Sequence, residues 1–385
     1  MTALAVEEPA YMTEDLRIFA EGVGKFLERE AVPHVDRYIA QHQVDRALWN
    51  KAGEAGLLCA SIPEEYGGAG GTFAHEAVLI EALGKRGVDG WGIVLHNAIV
   101  AHYILHCGSE EQKKRWLPRL ASGELVAAIA MTEPGTGSDL QAVKTTARKD
   151  GNHYVINGSK TFITNGGTAN FVIVVTKTDP TKGAKGISLV CVETDEVEGF
   201  RRGRLLDKIG QKANDTAELF FDDVRVPTSN LLGVDEGMGF IHLMQQLPQE
   251  RLIIALQAMA VIERALAVTG DYVKERKAFG KAVIDFQNTQ FKLAECKTEA
   301  TVAKVFCNHC MDLHLAGKLD ATMASMAKLY LTDAQCKIVD ECLQLFGGYG
   351  YMNEYPIARM YADSRVQKIY GGTNEIMKLL IARSL

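Results

Sequence analysis

The feature that most restricts this chain is a double change of texture. From about Leu125 to Val226 the sequence runs in short β-branched or alternating stretches: Lys144–Arg148, Tyr154–Ile156, Lys160–Thr164, Phe171–Lys177, Ile187–Glu193, a stretch near Arg204, and Glu218–Val226. Asp150-Gly151, Asn157-Gly158 and Asn165-Gly166-Gly167 punctuate them, and such pairs favour tight hairpin turns. Closely spaced hairpins predict an antiparallel barrel or sandwich of roughly a hundred residues. On both sides the period is helical. Leu16, Phe19, Val23, Phe26 and Leu27 recur on one face behind a capping Thr13, with Pro33 beyond the end. Helices follow around Arg46–Gly56, Thr72–Lys85, Trp91–His106 and Glu110–Ala121, the last with a Ser109/Gln112 capping box. After Pro227 the pattern predicts long helices over Gly239–Val273, Gln287–Leu315, Ala321–Phe346 and Asn374–Arg383, with Pro356 and Gly371-Gly372 as breaks.

This order predicts an α+β protein of three units: residues 1–124 helical, 125–235 β and 236–385 helical. Such a chain can bury a large core. The net charge of -6 gives no basic field for nucleic acid. No uninterrupted 18-residue apolar run occurs, so no membrane span is expected. Met1–Pro9 is acidic and unlike a secretory or transit leader, which points to the cytosol of a prokaryote, or the mitochondrial matrix for a trimmed eukaryotic chain. The eight cysteines lack a short-loop framework and read as reduced thiols. Cys307-Asn-His-Cys310 lacks a second ligand pair and reads as helix packing; His102 and His106, without a third ligand, read as core or surface histidines.

Ala128–Asp139 is a strand entering a loop, Met131-Thr-Glu-Pro-Gly-Thr-Gly-Ser-Asp139. Gly135 and Gly137 would let backbone approach a flat or phosphorylated ligand, and Thr132, Thr136 and Ser138 offer hydroxyls. A surface turn fits the same composition. The loop is neither G-x-G-x-x-G nor a Gly-Lys-Ser/Thr phosphate loop. Ser325-Met-Ala-Lys328 spells S-x-x-K, but without partner motifs it reads as part of an Ala-rich helix.

The loop, with Asn157-Gly-Ser-Lys-Thr-Phe-Ile-Thr-Asn-Gly166, Arg276-Lys-Ala-Phe-Gly280, Gln344-Leu-Phe-Gly-Gly-Tyr-Gly350 and Ile369-Tyr-Gly-Gly-Thr-Asn-Glu375, resembles the acyl-CoA dehydrogenase family over nearly the whole chain. The resemblance implies that family's fold: an N-terminal helical domain, a middle antiparallel β-barrel and a C-terminal four-helix bundle. It also implies FAD, and removal of hydrogens from Cα and Cβ of an acyl-CoA to give the trans-2-enoyl-CoA. The α-hydrogen leaves as a proton and the β-hydrogen as a hydride. By the same resemblance Ile129, Met131, Thr132, Gly137 and Ser138 lie along the flavin, and Phe162, Ile163 and Thr164 cover its other face, Phe162 standing where many members have Trp. Arg276, Phe279 and Gln287, with Gln344, Leu345, Phe346, Gly347 and Gly348, correspond to pyrophosphate and adenine contacts, typically across a subunit boundary. Thr373, Asn374 and Glu375 close over the cofactor. An intersubunit site implies a homotetramer built as a dimer of dimers, and the resemblance implies electron-transfer flavoprotein as acceptor.

One departure is informative. Many members carry the base as Tyr-Glu-Gly-Thr; this chain has Tyr370-Gly371-Gly372-Thr373. Glycine cannot accept a proton. In the long-chain and isovaleryl types the carboxylate lies on a central helix before an Arg, and this chain has Leu247-Pro-Gln-Glu250-Arg251 there. The resemblance therefore assigns Glu250 as base, Arg251 as its charged neighbour, and the Gly371 N–H as a donor to the thioester oxygen. Ser138, Gln249, Arg251, Gly371 and Gly372 are expected at the substrate. Medium- or long-chain acyl-CoA is the leading substrate, branched-chain or terpenoid acyl-CoA the alternative. A DNA-associated flavoprotein of the same fold would need a basic face.

Overall fold

The computed structural model describes residue 4 and residues 6–385. The N-terminal reading over Met1–Pro9 falls partly on residues outside the described set. Helices α1 (Glu14–Glu30), α2 (Val35–Gln41), α3 (Arg46–Glu54) and α4 (Phe73–Arg86) come first. Next, α5 (Ile93–Leu95) passes through a π turn at His96–Val100 into α6 (Ala101–Cys107), and α7 (Glu110–Ala121) closes the unit. The predicted caps form: Thr13 accepts from the Leu16 N–H, and Ser109 and Gln112 make the reciprocal box.

Seven strands follow: β1 (Ala127–Ala130), β2 (Thr146–Asp150), β3 (His153–Ile163), β4 (Phe171–Lys177), β5 (Ile187–Glu193), β6 (Phe200–Leu205) and β7 (Ala217–Pro227). Their order is β1-β4-β2-β3-β7-β6, with β5 paired to β4. The sheet is mixed, which corrects the expectation of an antiparallel barrel: β1 runs parallel to β4, and Thr146 of β2 meets Lys177 of β4 in parallel. Parallel pairing becomes possible because the β2–β3 excursion separates β1 from β4 and lets the chain return in the same direction. A second correction concerns Asn157-Gly158. Tyr154–Ile156 and Lys160–Thr164 are one strand, β3, and the pair between them is a register shift against β7. Gly158 (φ +151°) sits where a Cβ would lie 2.4 Å from the Thr145 hydroxyl, so the glycine serves close approach within the strand. The Asp150-Gly151 hairpin does form, joining β2 to β3.

Strand β4 is buried on both faces: Phe171, Ile173 and Val175 pack with Tyr103, Trp116 and Leu243, while Val172 and Val174 pack with Ile156, Leu219 and Phe221. That two-sided burial explains its continuous apolar run.

The third unit contains α8 (Gly239–Glu275), a small β8 (Lys277–Ala278)/β9 (Lys281–Ala282) hairpin, α9 (Gln287–Leu315), α10 (Ala321–Leu345), α11 (Pro356–Ser364) and α12 (Asn374–Ala382). Pro356 opens α11 at its first turn, where its missing N–H costs nothing, so the expected break is a helix start. By length and composition α8 could cross a bilayer, its most apolar window having a mean hydropathy of 1.8, but 67 % of that window is buried inside the protein. It packs against α4, α9 and α10 and is the core helix of the molecule.

Candidate active site

Helix α8 carries Gln246, Gln249, Glu250 and Arg251, all buried although polar. A buried polar side chain needs a partner. Gln249 Nε2 donates to the Ala98 carbonyl in the π turn at 2.7 Å. Gln246 donates to His106 Nδ1 at 3.1 Å. Glu250 is 7 % exposed, and its Oε1 accepts from the Tyr103 hydroxyl at 2.8 Å. Burial pushes the Glu250 carboxyl up to about 7; the Tyr103 hydrogen bond and the Arg251 charge act in the opposite direction. Arg251 Nη1 donates to Ser325 Oγ on α10 at 3.2 Å, and its Nε has no partner among the described residues.

The C-terminal turn reaches the same helix face. Gly371 (φ +64°) and Gly372 (φ +87°) occupy left-handed backbone, and a Cβ on Gly371 would lie 2.3 Å from Ile254 Cδ1. Ile254 is one helical turn from Glu250, so the Gly371 turn packs on the stretch of α8 that carries Glu250. The turn is fixed from behind by Lys328 on α10, whose buried ammonium donates to the Gly372 carbonyl and Asn374 Oδ1, both at 2.8 Å. Burial brings the Lys328 ammonium down to about 8. Thr373 caps α12 by accepting from the Ile376 N–H, and Asn374 is also tied to Thr332 and Asp333. Glu375 lies in the first turn of α12, its carboxyl held down by the first-turn backbone N–H.

The Met131–Asp139 loop is fastened to the end of β3. Lys160, fully buried, donates to the Met131 carbonyl at 3.1 Å and to Glu133 Oε1 at 2.9 Å. Glu133 also accepts from the Lys144 and Thr145 N–H groups. The Thr161 N–H donates to the Thr132 carbonyl at 2.9 Å, which places Met131 and Thr132 beside the end of β3 that carries Phe162 and Ile163; no contact among the described residues joins Gly137 or Ser138 to them. Ile129 and Ile163 are buried, whereas Phe162 is held at φ +58° with 67 % of its surface exposed. The Phe162 ring thus stands free on left-handed backbone and has a face on which a flat group could stack. Nothing lies within 4 Å of where a Cβ on Gly137 would point.

The other expected cofactor residues gather at the far end of the third unit. Arg276 lies over the Tyr349 ring at 5.5 Å, Phe279 is 96 % exposed at the β8–β9 turn, and Gln287 starts α9. Gln344 and Leu345 end α10, and Gly347 and Gly348 have open space above them. Phe346 differs from the rest: its ring stacks on Tyr272 at 4.1 Å within the core. Among the described residues no hydrogen bond, ion pair or ring contact joins this group to the Met131–Thr164 group.

Sequence reasoning missed Tyr103, the Glu133–Lys160 pair and Lys328. Tyr103 lies 147 positions from Glu250 and leaves no local signal. Ser325 and Lys328, which spell S-x-x-K, lie on α10; Ser325 accepts from Arg251 and Lys328 donates to the Gly372 carbonyl. Cys307 and Cys310 are buried in helix packing, their thiols pushed up by burial.

The molecule is helical–β–helical, with a buried carboxylate on its core helix and a glycine turn packed one helical turn from it at Ile254. The chain belongs to the acyl-CoA dehydrogenase family. Family models described as the acyl-CoA dehydrogenase N-terminal, middle and C-terminal domains match residues 13–124, 128–224 and 237–385. The mitochondrial long-chain specific acyl-CoA dehydrogenase of Sus scrofa is 51 % identical over 370 residues, covering 96 % of this chain and 86 % of that protein. A crystal structure of an acyl-CoA dehydrogenase from Geobacillus kaustophilus is 49 % identical with a TM-score of 0.95, covering 98 % of this chain and 99 % of that one. A Mycobacterium smegmatis glutaryl-CoA dehydrogenase in complex with FADH2 is 29 % identical with a TM-score of 0.88, covering 97 % and 94 %. This is an FAD-dependent acyl-CoA dehydrogenase. The free face of Phe162 and the open loop at Gly137 fit the ring of that cofactor, and exposed Phe279 with Gly347 and Gly348 fits its tail.

Proposed function

We propose that this enzyme converts medium- or long-chain acyl-CoA to the trans-2-enoyl-CoA, with Glu250 as the base for the α-proton, and passes the electrons to electron-transfer flavoprotein. The observation that carries the reading is the placement of Glu250. It is a buried carboxylate near neutral in its affinity for protons, on the helix against which the Gly371 turn packs. A base poised near working pH combines a useful deprotonated fraction with real basicity. Other buried acids are committed elsewhere: Glu133 to Lys160, Glu193 to Arg115 and Arg119, and Glu76 to Ser61 and Asn97. Asp363 also reaches about 7, but it accepts from the Gln211 N–H and faces Asp89, Arg359 and Arg264.

When bound, FAD supplies the two-electron acceptor. The protein does the rest: Glu250 removes the α-proton, and the Gly371 N–H holds the thioester oxygen as negative charge grows there. Buried Arg251 and Lys328 add positive potential behind the turn. The long-chain preference is supported by the 51 % identity to the pig enzyme. A homotetramer is supported by the separation of the two cofactor groups within one chain and by exposed Val302 and Val305 on α9.

E250Q decides the assignment. It should keep its yellow flavin and lose about 10²–10⁴ in kcat with an artificial acceptor. An active E250Q, or an inactive D363N beside it, would sink the reading. A series of linear acyl-CoAs against 2- and 3-methyl acyl-CoAs separates the straight-chain reading from the branched one, and light scattering gives the subunit number.

A further inference from the structure

The segment facing Glu250 is not a regular helix. Between α5 and α6 the π turn at His96–Val100 accommodates one extra residue, which rotates everything after it by about 100° relative to an uninterrupted α-helix. Tyr103 follows directly, and its hydroxyl donates to Glu250 Oε1 with both side chains buried. The turn is pinned to α8 by Gln249, which donates to the Ala98 carbonyl inside it. One turn along, His106 and Gln246 form a second rung between the same helices. Among the described residues Tyr103 is the one hydrogen-bond partner of the Glu250 carboxylate, and Oε2 has none.

We propose that Tyr103 is the positioning residue of the base: it holds Oε1 of Glu250 so that Oε2 is the proton-accepting atom, and the π turn sets its ring in place. The proposal rests on Glu250 being the base. In the step it serves, the Cα–H bond breaks, an O–H bond forms at Oε2, and the electron pair enters the thioester system. A donor to Oε1 favours the ionised carboxylate and fixes its rotamer, two effects that a phenylalanine ring of the same shape would lack. The charged and titratable groups around Glu250 are few. On α8 there is Arg251; on α6, Tyr103 itself, Cys107 beside it and His106 one turn away; on α10, Lys328 behind Arg251; the Gly371–Gly372 turn contributes none.

The test uses the FAD-loaded enzyme and the pH profile of kcat/KM. The base must be ionised, so activity rises with pH along an acid limb set by Glu250. In Y103F the lost donor raises that limb by about one pH unit, so that below it kcat/KM falls about tenfold, while the plateau at high pH stays within a few-fold. Placing 3-fluorotyrosine at position 103, a more acidic and stronger donor, moves the limb the other way. A limb unmoved in both variants overturns the proposal, and so does a uniform loss at every pH with the limb in place, which is the mark of a merely structural role. If Y103F fails to retain flavin, the fluorotyrosine enzyme decides alone: a downward shift supports the proposal and no shift overturns it. The same preparations include E250Q. An active E250Q removes the base assignment itself, whereas an inactive E250Q beside an unshifted Y103F removes only the role of Tyr103.

Discussion

Replacing Gly371 with alanine perturbs two things that the structure separates. The backbone at φ +64° is left-handed, and a non-glycine residue there costs about 1–2 kcal/mol. The new Cβ would also stand 2.3 Å from Ile254 Cδ1, and overpacking of that kind costs about 1–3 kcal/mol because Ile254 must leave its rotamer. G371A should therefore destabilise by roughly 2–5 kcal/mol. I254V deletes the offending methyl and by itself costs about 0.5–1.5 kcal/mol. In the I254V background only the backbone part of the G371A penalty remains, so the two substitutions should couple favourably by about 1–3 kcal/mol. Melting temperatures of the four FAD-loaded proteins give the coupling, and kcat should follow, because displaced Ile254 pushes on the helix one turn from Glu250. If G371A is equally damaging with Ile or Val at position 254, the turn does not pack on α8 as described. Glu250 and the glycine turn would then not be joined through one face of α8.

Three further outcomes follow from the same geometry. The Glu250 carboxyl is raised from 4.5 to about 7 in the folded protein, so its contribution to stability is fully present below 4.5 and is lost as pH rises through 7. E250Q should accordingly melt close to the wild type at pH 4.5 and above it at pH 8, by an amount on the order of 3 kcal/mol; a difference independent of pH would refute the burial argument. K160M leaves the Glu133 carboxylate buried without its cation and should cost about 3–5 kcal/mol. Because that pair fastens the Met131–Asp139 loop, flavin should pass into the filtrate on dialysis, and retention at wild-type strength would count against the loop's role. K328M strips the Gly372 carbonyl and Asn374 of their donor, so kcat should fall about tenfold or more at saturating substrate, with a lowered melting temperature; unchanged kcat would show that the turn holds without the lysine.

What could be read from the sequence divides by the range of the forces involved. Caps, helix periods and the Asp150-Gly151 hairpin depend on neighbours within a few residues, and Gln287–Leu315 is read to the residue. Asn157-Gly158 carries the local mark of a turn and becomes a register shift because β7 pairs with both halves of β3, and β7 lies some sixty residues on. The parallel run of β1 beside β4 is likewise decided by where the chain returns. The candidate site shows the same division. Glu250 and Gly371 could be proposed because their motifs are contiguous and resemble the family's, and the missing carboxylate at Gly371 singled out Glu250. Tyr103, Lys328 and the Glu133–Lys160 pair could not be named as partners, since each acquires meaning from a side chain 27 to 147 positions away. These partners share one physical cause. A carboxylate kept basic by burial, and a turn kept left-handed against a packed helix, are both unfavourable alone and persist only because surrounding groups over-determine them. The groups proposed to touch substrate sit in short motifs, whereas those that hold them arrive from every element packed around the site, which is why the supporting residues were invisible until the chain was folded.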